Sequence, residues 1–157
     1  MEIKILTKEY VLNNGVDFED LWDEYCSDRI LDNSEEEGGE PFTGLTYETY
    51  PNGNLRYYCY YKNGFSHGDF VEFYDDGKTK SMQYMQRGRI YGVEKIWYRN
   101  GMLESEANYE YGVCLTFKKW NEEGILIEEK LKPSEDDIKL RNSQEEWYKK
   151  SYRKRLV

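Results

Sequence analysis

The chain has 157 residues, 31 of them acidic and 22 basic, for a formal net charge of -9. That length fits one ordinary domain, and the charge argues against nucleic acid or an anionic membrane as partner and for a basic protein. Acidic chains poor in aromatics tend to stay unfolded, but sixteen tyrosines and four tryptophans supply area to bury, so the chain is expected to fold.

In chain order, residues 1–14 alternate apolar and polar side chains through Ile3, Ile5 or Leu6 and Val11, then reach Asn13-Asn14-Gly15, a turn signal. An opening strand is expected there. From Asp17 to Leu31 the spacing of Phe18, Leu21, Trp22 and Tyr25 is helical, with Asp17 placed to cap. Ser34 to Glu40 has no apolar anchor and reads as a solvated loop closed by Pro41. Its acidic run lacks the articulated ligand spacing that calcium requires. Residues 1–41 are thus an N-terminal cap of strand, short helix and acidic loop.

Residues 42–131 repeat. Gly44, Gly68 and Gly92 form one column, Gly53, Gly77 and Gly101 a second, and Gly64, Gly88 and Gly112 a third, all stepping by the same interval. Gly124 continues the second column one position early, and Tyr50, Tyr74 and Tyr98 keep the same beat. The glycines cut each repeat into two short runs. The first is Leu45–Tyr50, Asp69–Tyr74 or Val93–Tyr98; the second is Leu55–Tyr61, Thr79–Met85 or Leu103–Tyr109. Asn-Gly and Asp-Gly pairs at the joints supply the positive φ values that hairpin turns need. The expected fold is mainly β: an elongated array of antiparallel β-hairpins in a single meandering sheet, its open edges protected by the non-repetitive ends.

Alternation along the second strands sorts their faces. Leu55, Tyr57, Cys59 and Tyr61, with Leu103, Ser105, Ala107 and Tyr109, are assigned to the buried side. The opposite side then presents Tyr58, Tyr60, Met82 and Tyr84 as an aromatic patch beside charges, the composition of interface cores. With Glu72, Glu94, Glu104 and Glu106 these make the candidate partner-binding set. The competing reading is that a terminal segment covers this face.

After the array, Pro133-Ser134 followed by Glu135, Asp136 and Asp137 begins a helix, and Ser143 to Glu146 is a second capping box. Residues 132–157 are therefore a helical tail, one interrupted helix or two short ones. Arg141 to Arg155 holds six basic and two acidic residues, leaving sixteen basic and twenty-nine acidic before it, a net of -13. The basic cluster reads as helix-end charge docked on an acidic body rather than a nucleic-acid arm.

Cys26, Cys59 and Cys114 are an odd number at wide spacing, and neither a signal peptide nor a long apolar run appears, so a reduced, cytoplasmic protein is expected. His67 falls in a column shared with Tyr91 and Leu115, which marks a packing position, and no nucleophile is spaced to pair with it. No phosphate loop, dinucleotide fingerprint or CxxC pair occurs. The expectation is a protein that is not an enzyme, with no catalytic residues, cofactor or metal.

Four stretches resemble MORN repeats, in the variant form found in bacterial antitoxin and immunity proteins of the YwqK type. They are Pro41-Phe42-Thr43-Gly44; Tyr50-Pro51-Asn52-Gly53 with Tyr61-Lys62-Asn63-Gly64; Phe65-Ser66-His67-Gly68; and Trp97-Tyr98-Arg99-Asn100-Gly101 through Gly112. Trp120-Asn121-Glu122-Glu123-Gly124 looks like the family's ending. The resemblance implies an immunity protein that blocks a cognate toxin, the C-terminal domain of a larger secreted or contact-delivered protein, as a monomer or a 1:1 complex. Nucleases and deaminases are among such toxins, and a basic nucleic-acid-gripping domain would complement the acidic chain. A MORN-type protein-binding or membrane-binding scaffold is the alternative. The second repeat departs from the pattern at Thr79, Ser81 and Gln83, and the segment from Met1 to Glu40 lacks repeat character; either is a place for partner specificity.

Overall fold

The computed structural model describes residues 3–155, with the backbone alone for 152–155. The side chains of Arg153, Lys154 and Arg155, expected to dock on the body, lie outside the described residues.

The first element is a helix, α1 (Lys8–Asn14), where the alternation predicted a strand. Thr7 decides it locally: its hydroxyl accepts from the Tyr10 N–H at 3.2 Å and caps the first turn. Ile3, Leu6 and Val11 then turn toward the sheet, Val11 completely buried. The helix expected over 17–31 is also replaced. That stretch forms β1 (Val16–Asp17), one 3-10 turn at Phe18–Asp20, β2 (Trp22–Asp23) and β3 (Ile30–Leu31). Asp17 does cap, accepting from Glu19 N–H at 3.1 Å, but for that single turn. A helix needs a surface for its apolar stripe. Here Phe18 spends its ring on Tyr57 and Tyr61, and Cys26 at φ 55 turns the chain back. Ser34 to Glu40 is largely the expected loop, tightened by a 3-10 turn at Glu35–Glu37 that Ser34 caps.

The array follows the glycine columns. Its strands are β4 (Gly44–Thr49), β5 (Leu55–Lys62), β6 (Phe65–Phe73), β7 (Thr79–Gln86), β8 (Arg89–Ile90), β9 (Gly92–Trp97), β10 (Leu103–Glu110), β11 (Val113–Trp120) and β12 (Leu126–Lys130). They form one antiparallel meander, in which β8 and β9 are two pieces of a strand along β7, and β1 adds to the outer edge of β4 in parallel. Along one long edge lie the two-residue turns Asn63-Gly64, Arg87-Gly88 and Tyr111-Gly112, each with positive φ at both residues. Along the other lie the longer turns beginning at Tyr50, Tyr74 and Tyr98.

Those tyrosines explain their own period. Tyr50 Oη donates to the Phe73 carbonyl at 2.8 Å, Tyr74 Oη to that of Trp97 at 2.7 Å, and Tyr98 Oη to that of Trp120 at 2.9 Å. Each turn is tied forward to the next repeat. The short turns stack likewise, with Gly88 N–H on Ser66 O at 2.8 Å and Gly112 N–H on Ile90 O at 2.9 Å.

The core sits between α1 and the first half of the array, where Val11 of the helix packs with Leu45, Leu55, Tyr58, Val71 and Phe73. At the far end α2 (Glu135–Arg155) is one continuous helix, so the Ser143 capping box lies inside it. Ser134 and Asp137 close its start reciprocally, at 2.7 and 3.1 Å. Lys130 pairs with Asp137 at 2.5 Å, and these bonds hold the Asp137 carboxyl down at about 2. The helix then runs beside the short turns: Arg141 pairs with Glu110 at 3.3 Å, and the Tyr148 ring lies 5.6 Å from that of Tyr111. No helix among the described residues is long and apolar enough to cross a membrane.

Candidate functional site

The eight residues expected to bind a partner do not form one surface. Tyr58 is 0% exposed, with its ring packed against Phe73 and its Oη accepting from the Leu6 N–H at 3.0 Å. Tyr60 and Met82 pack on the same cluster. The patch is therefore corrected: Tyr58, Tyr60 and Met82 belong to the core, because the N-terminal segment packs against them. Tyr84, on the same face, is half-buried beside His67 at 6.3 Å between ring centroids.

The remaining acidic candidates scatter. Cross-strand partners share a face, and the series Tyr58, Val71, Met82, Lys95, Glu106 puts Glu106 beyond the covered region, paired with Lys95 at 4.0 Å. Glu72 stands opposite Tyr57 and Ser81, and Glu94 opposite Ala107, both on the other face. Glu104 falls in a bulge, skipped between Leu103 and Ser105 in the pairing with β9. Arg56 and Lys80 are skipped at the same point of β5 and β7. The side chains before and after each bulge therefore do not keep strict alternation, and Leu55 and Tyr58 enter the same cluster.

On the face away from α1, tyrosines and carboxylates interleave. Ser81 Oγ donates to Glu72 at 2.7 Å. Glu94 is raised from the ordinary carboxylate value by burial first and by the nearby Glu72 second, against a hydrogen bond from Tyr109. Burial likewise pushes Tyr109 and Tyr61 up to about 12, and the Cys59 thiol to about 12. That thiol is buried and poorly ionised, a packing group rather than a nucleophile.

His67 accepts from the Arg87 N–H through Nδ1 at 3.2 Å, the role Thr43 Oγ1 plays for Asn63 N–H one repeat earlier at 2.9 Å. Desolvation, then Lys62 and Arg87, lower its pKa. The histidine pins a turn. Among the described residues no three His, Cys, Asp or Glu side chains are placed to hold a metal ion.

What the face assignment passed over is the segment before the array. β2 and β3 form a small separate sheet, tied to the first short turn by Ile30 N–H on Gly64 O and to the segment entering β4 by Phe42 N–H on Ile30 O, each at 2.9 Å. Between residues 22–26 and 34–37 lies an open cleft of about 770 Å3 lined by Trp22, Asp23, Tyr25 and Glu35 to Glu37. Trp22 is 52% and Tyr25 83% exposed. The signal was compositional: carboxylates crowd this segment, which lies outside the repeat.

Comparison with known proteins agrees with the hairpin array. Residues 42–63 and 90–111, the first and third repeats, match the MORN repeat variant family. Over 117 residues the chain is 48% identical to Immunity protein YwqK of Bacillus subtilis (strain 168), covering 74% of this chain and 76% of that protein. No solved structure gives a significant match. With nearly half of the aligned residues shared across three quarters of both chains, this protein belongs to the YwqK family of MORN-repeat-variant immunity proteins.

Proposed function

We propose that this chain is an immunity protein that acts in the cytoplasm, binding the C-terminal toxin domain of a secreted or contact-delivered protein and blocking it in a 1:1 complex. The observation that carries the reading is the 48% identity to a protein named for immunity. The array supports it physically: hairpins latched repeat to repeat make a scaffold that need not reorganise to bind, which limits the entropy lost on association. Blocking requires no cofactor and no catalytic group. The net charge of -9 favours a basic toxin, of the kind that grips nucleic acid, and speeds the encounter with it.

The test is co-expression with the toxin domain encoded by the neighbouring gene. Growth should be restored, and the two chains should co-purify as a 1:1 complex that weakens as salt is raised. Continued killing with no complex formed would overturn the reading.

A further inference from the structure

Charge in this chain is segregated more sharply than its total suggests. Residues 15–41 hold eleven acidic side chains and one base, Arg29, a net of -10; the chain as a whole stands at -9, so everything outside that segment sums to +1. The acidity belongs to the lobe in front of the array. The array itself is close to neutral, with thirteen acidic and eleven basic residues over 42–131.

That lobe is built. Glu24 N–H bonds Arg29 O at 3.0 Å, Asp32 N–H bonds Glu40 O at 2.9 Å, and Arg29 closes on the Glu24 carboxylate. With its single base so engaged, Asp20, Asp23, Asp28, Glu36 and Glu37 have no cationic partner among the described residues. Like charges held this close lower the stability of the fold that holds them. Among the described residues the carboxylates do not converge to hold a metal ion, and an extended basic surface would complement them in charge. Two large aromatics stand exposed at the cleft between these acidic stretches, Trp22 and Tyr25, the side chains suited to anchor an interface and to stack on arginine.

We propose that the acidic lobe of residues 15–41, centred on the cleft between Trp22 and Glu37, is the docking surface for the basic toxin domain, with Trp22 and Tyr25 as its anchors. This rests on the immunity reading for the identity of the partner. The lobe supplies the charge that draws the toxin in, the aromatics supply the contact area, and the array holds the lobe in place through Ile30 and Gly64.

Two variants test it by titration against the toxin domain encoded by the neighbouring gene. Asp20→Asn/Asp23→Asn/Glu36→Gln/Glu37→Gln should lose about tenfold or more in affinity and show a flatter salt dependence, while its melting temperature stays level or rises. Trp22→Ala/Tyr25→Ala should lose about tenfold or more at every salt concentration. Wild-type affinity and salt slope in both variants would overturn the proposal. Should the wild-type chain itself neither bind nor protect, the immunity reading falls, and an octa-arginine peptide decides the surface alone. Amide shifts on residues 20–28 and 34–38 of the full chain uphold it; shifts confined to the array, or none, overturn it.

Discussion

The main-chain N–H of Leu6 donates to the phenolic oxygen of Tyr58 at 3.0 Å, across 52 positions of sequence. That bond joins the N-terminal segment to the middle of β5 and leaves Tyr58 with no exposed surface. A tyrosine ring placed by alternation on the outside is thereby the centre of the core.

Tyr58→Phe keeps the ring and removes the acceptor, leaving the partly buried Leu6 N–H unpaired. A loss of about 1–3 kcal/mol is expected, and Tyr58→Ala should cost about 3–5 kcal/mol by opening a cavity. Urea unfolding measures both. A Tyr58→Ala protein as stable as the wild type would contradict the burial of this ring.

Tyr74→Phe should cost about 1 kcal/mol through loss of the hydroxyl's bond to the Trp97 carbonyl. The circular dichroism of the sheet should not change, because the ring remains in place. The loss should appear at β9 first: in hydrogen exchange, amides of Gly92–Trp97 should open more readily than those of β5.

Gly64 and Gly53 both have positive φ, at 83° and 86°, but differ in surroundings. A methyl group at Gly53 meets nothing within 4 Å, whereas at Gly64 it meets Arg29 Cβ at 2.8 Å and Ile30 O at 3.0 Å. Gly53→Ala should cost about 1–2 kcal/mol, the penalty of the left-handed backbone. Gly64→Ala should cost more and should loosen the acidic lobe, read as faster proteolysis within residues 15–41. Equal losses from the two substitutions would contradict the docking of β3 on this turn.

Glu94 has a folded-state pKa raised above its ordinary value of 4.5. Burial therefore favours its protonated form in the fold, and stability from this group is full below pH 4.5 and is lost as pH rises through the raised value. Glu94→Gln, which keeps an acceptor for Tyr109, should stabilise the protein at pH 7 and make no difference at pH 4. Thermal melts across that range check the sign. Equal effects at both pH values would place the group in water.

The hairpin array was legible because its turns demand particular backbone angles. Asn63-Gly64, Arg87-Gly88 and Tyr111-Gly112 sit where the evenly spaced third glycine column said they should. The faces were not legible, for two reasons. Bulges at Arg56, Lys80 and Glu104 interrupt the period of two, and the cover over Tyr58 comes from residues with no repeat signature. The N-terminal pattern around Ile3, Leu6 and Val11 fits a strand or a helix, and the Thr7 cap and the contact with β5 choose the helix. The charge was legible but averaged: counted over everything before Arg141 it describes an acidic body, and counted over 15–41 it describes a lobe.

The tyrosine bonds from Tyr50, Tyr74 and Tyr98 all point the same way along the chain, and the last turn, beginning at Asn121, has no tyrosine to continue them. A row of one-way latches unzips from its unlatched end. Thermal opening is expected to begin at β12, whose side chains are mostly exposed, and to travel toward β5, where the buried cluster lies. Rigidity is then expected to be graded along the length of the sheet, with the acidic lobe fastened to the end that holds the buried cluster.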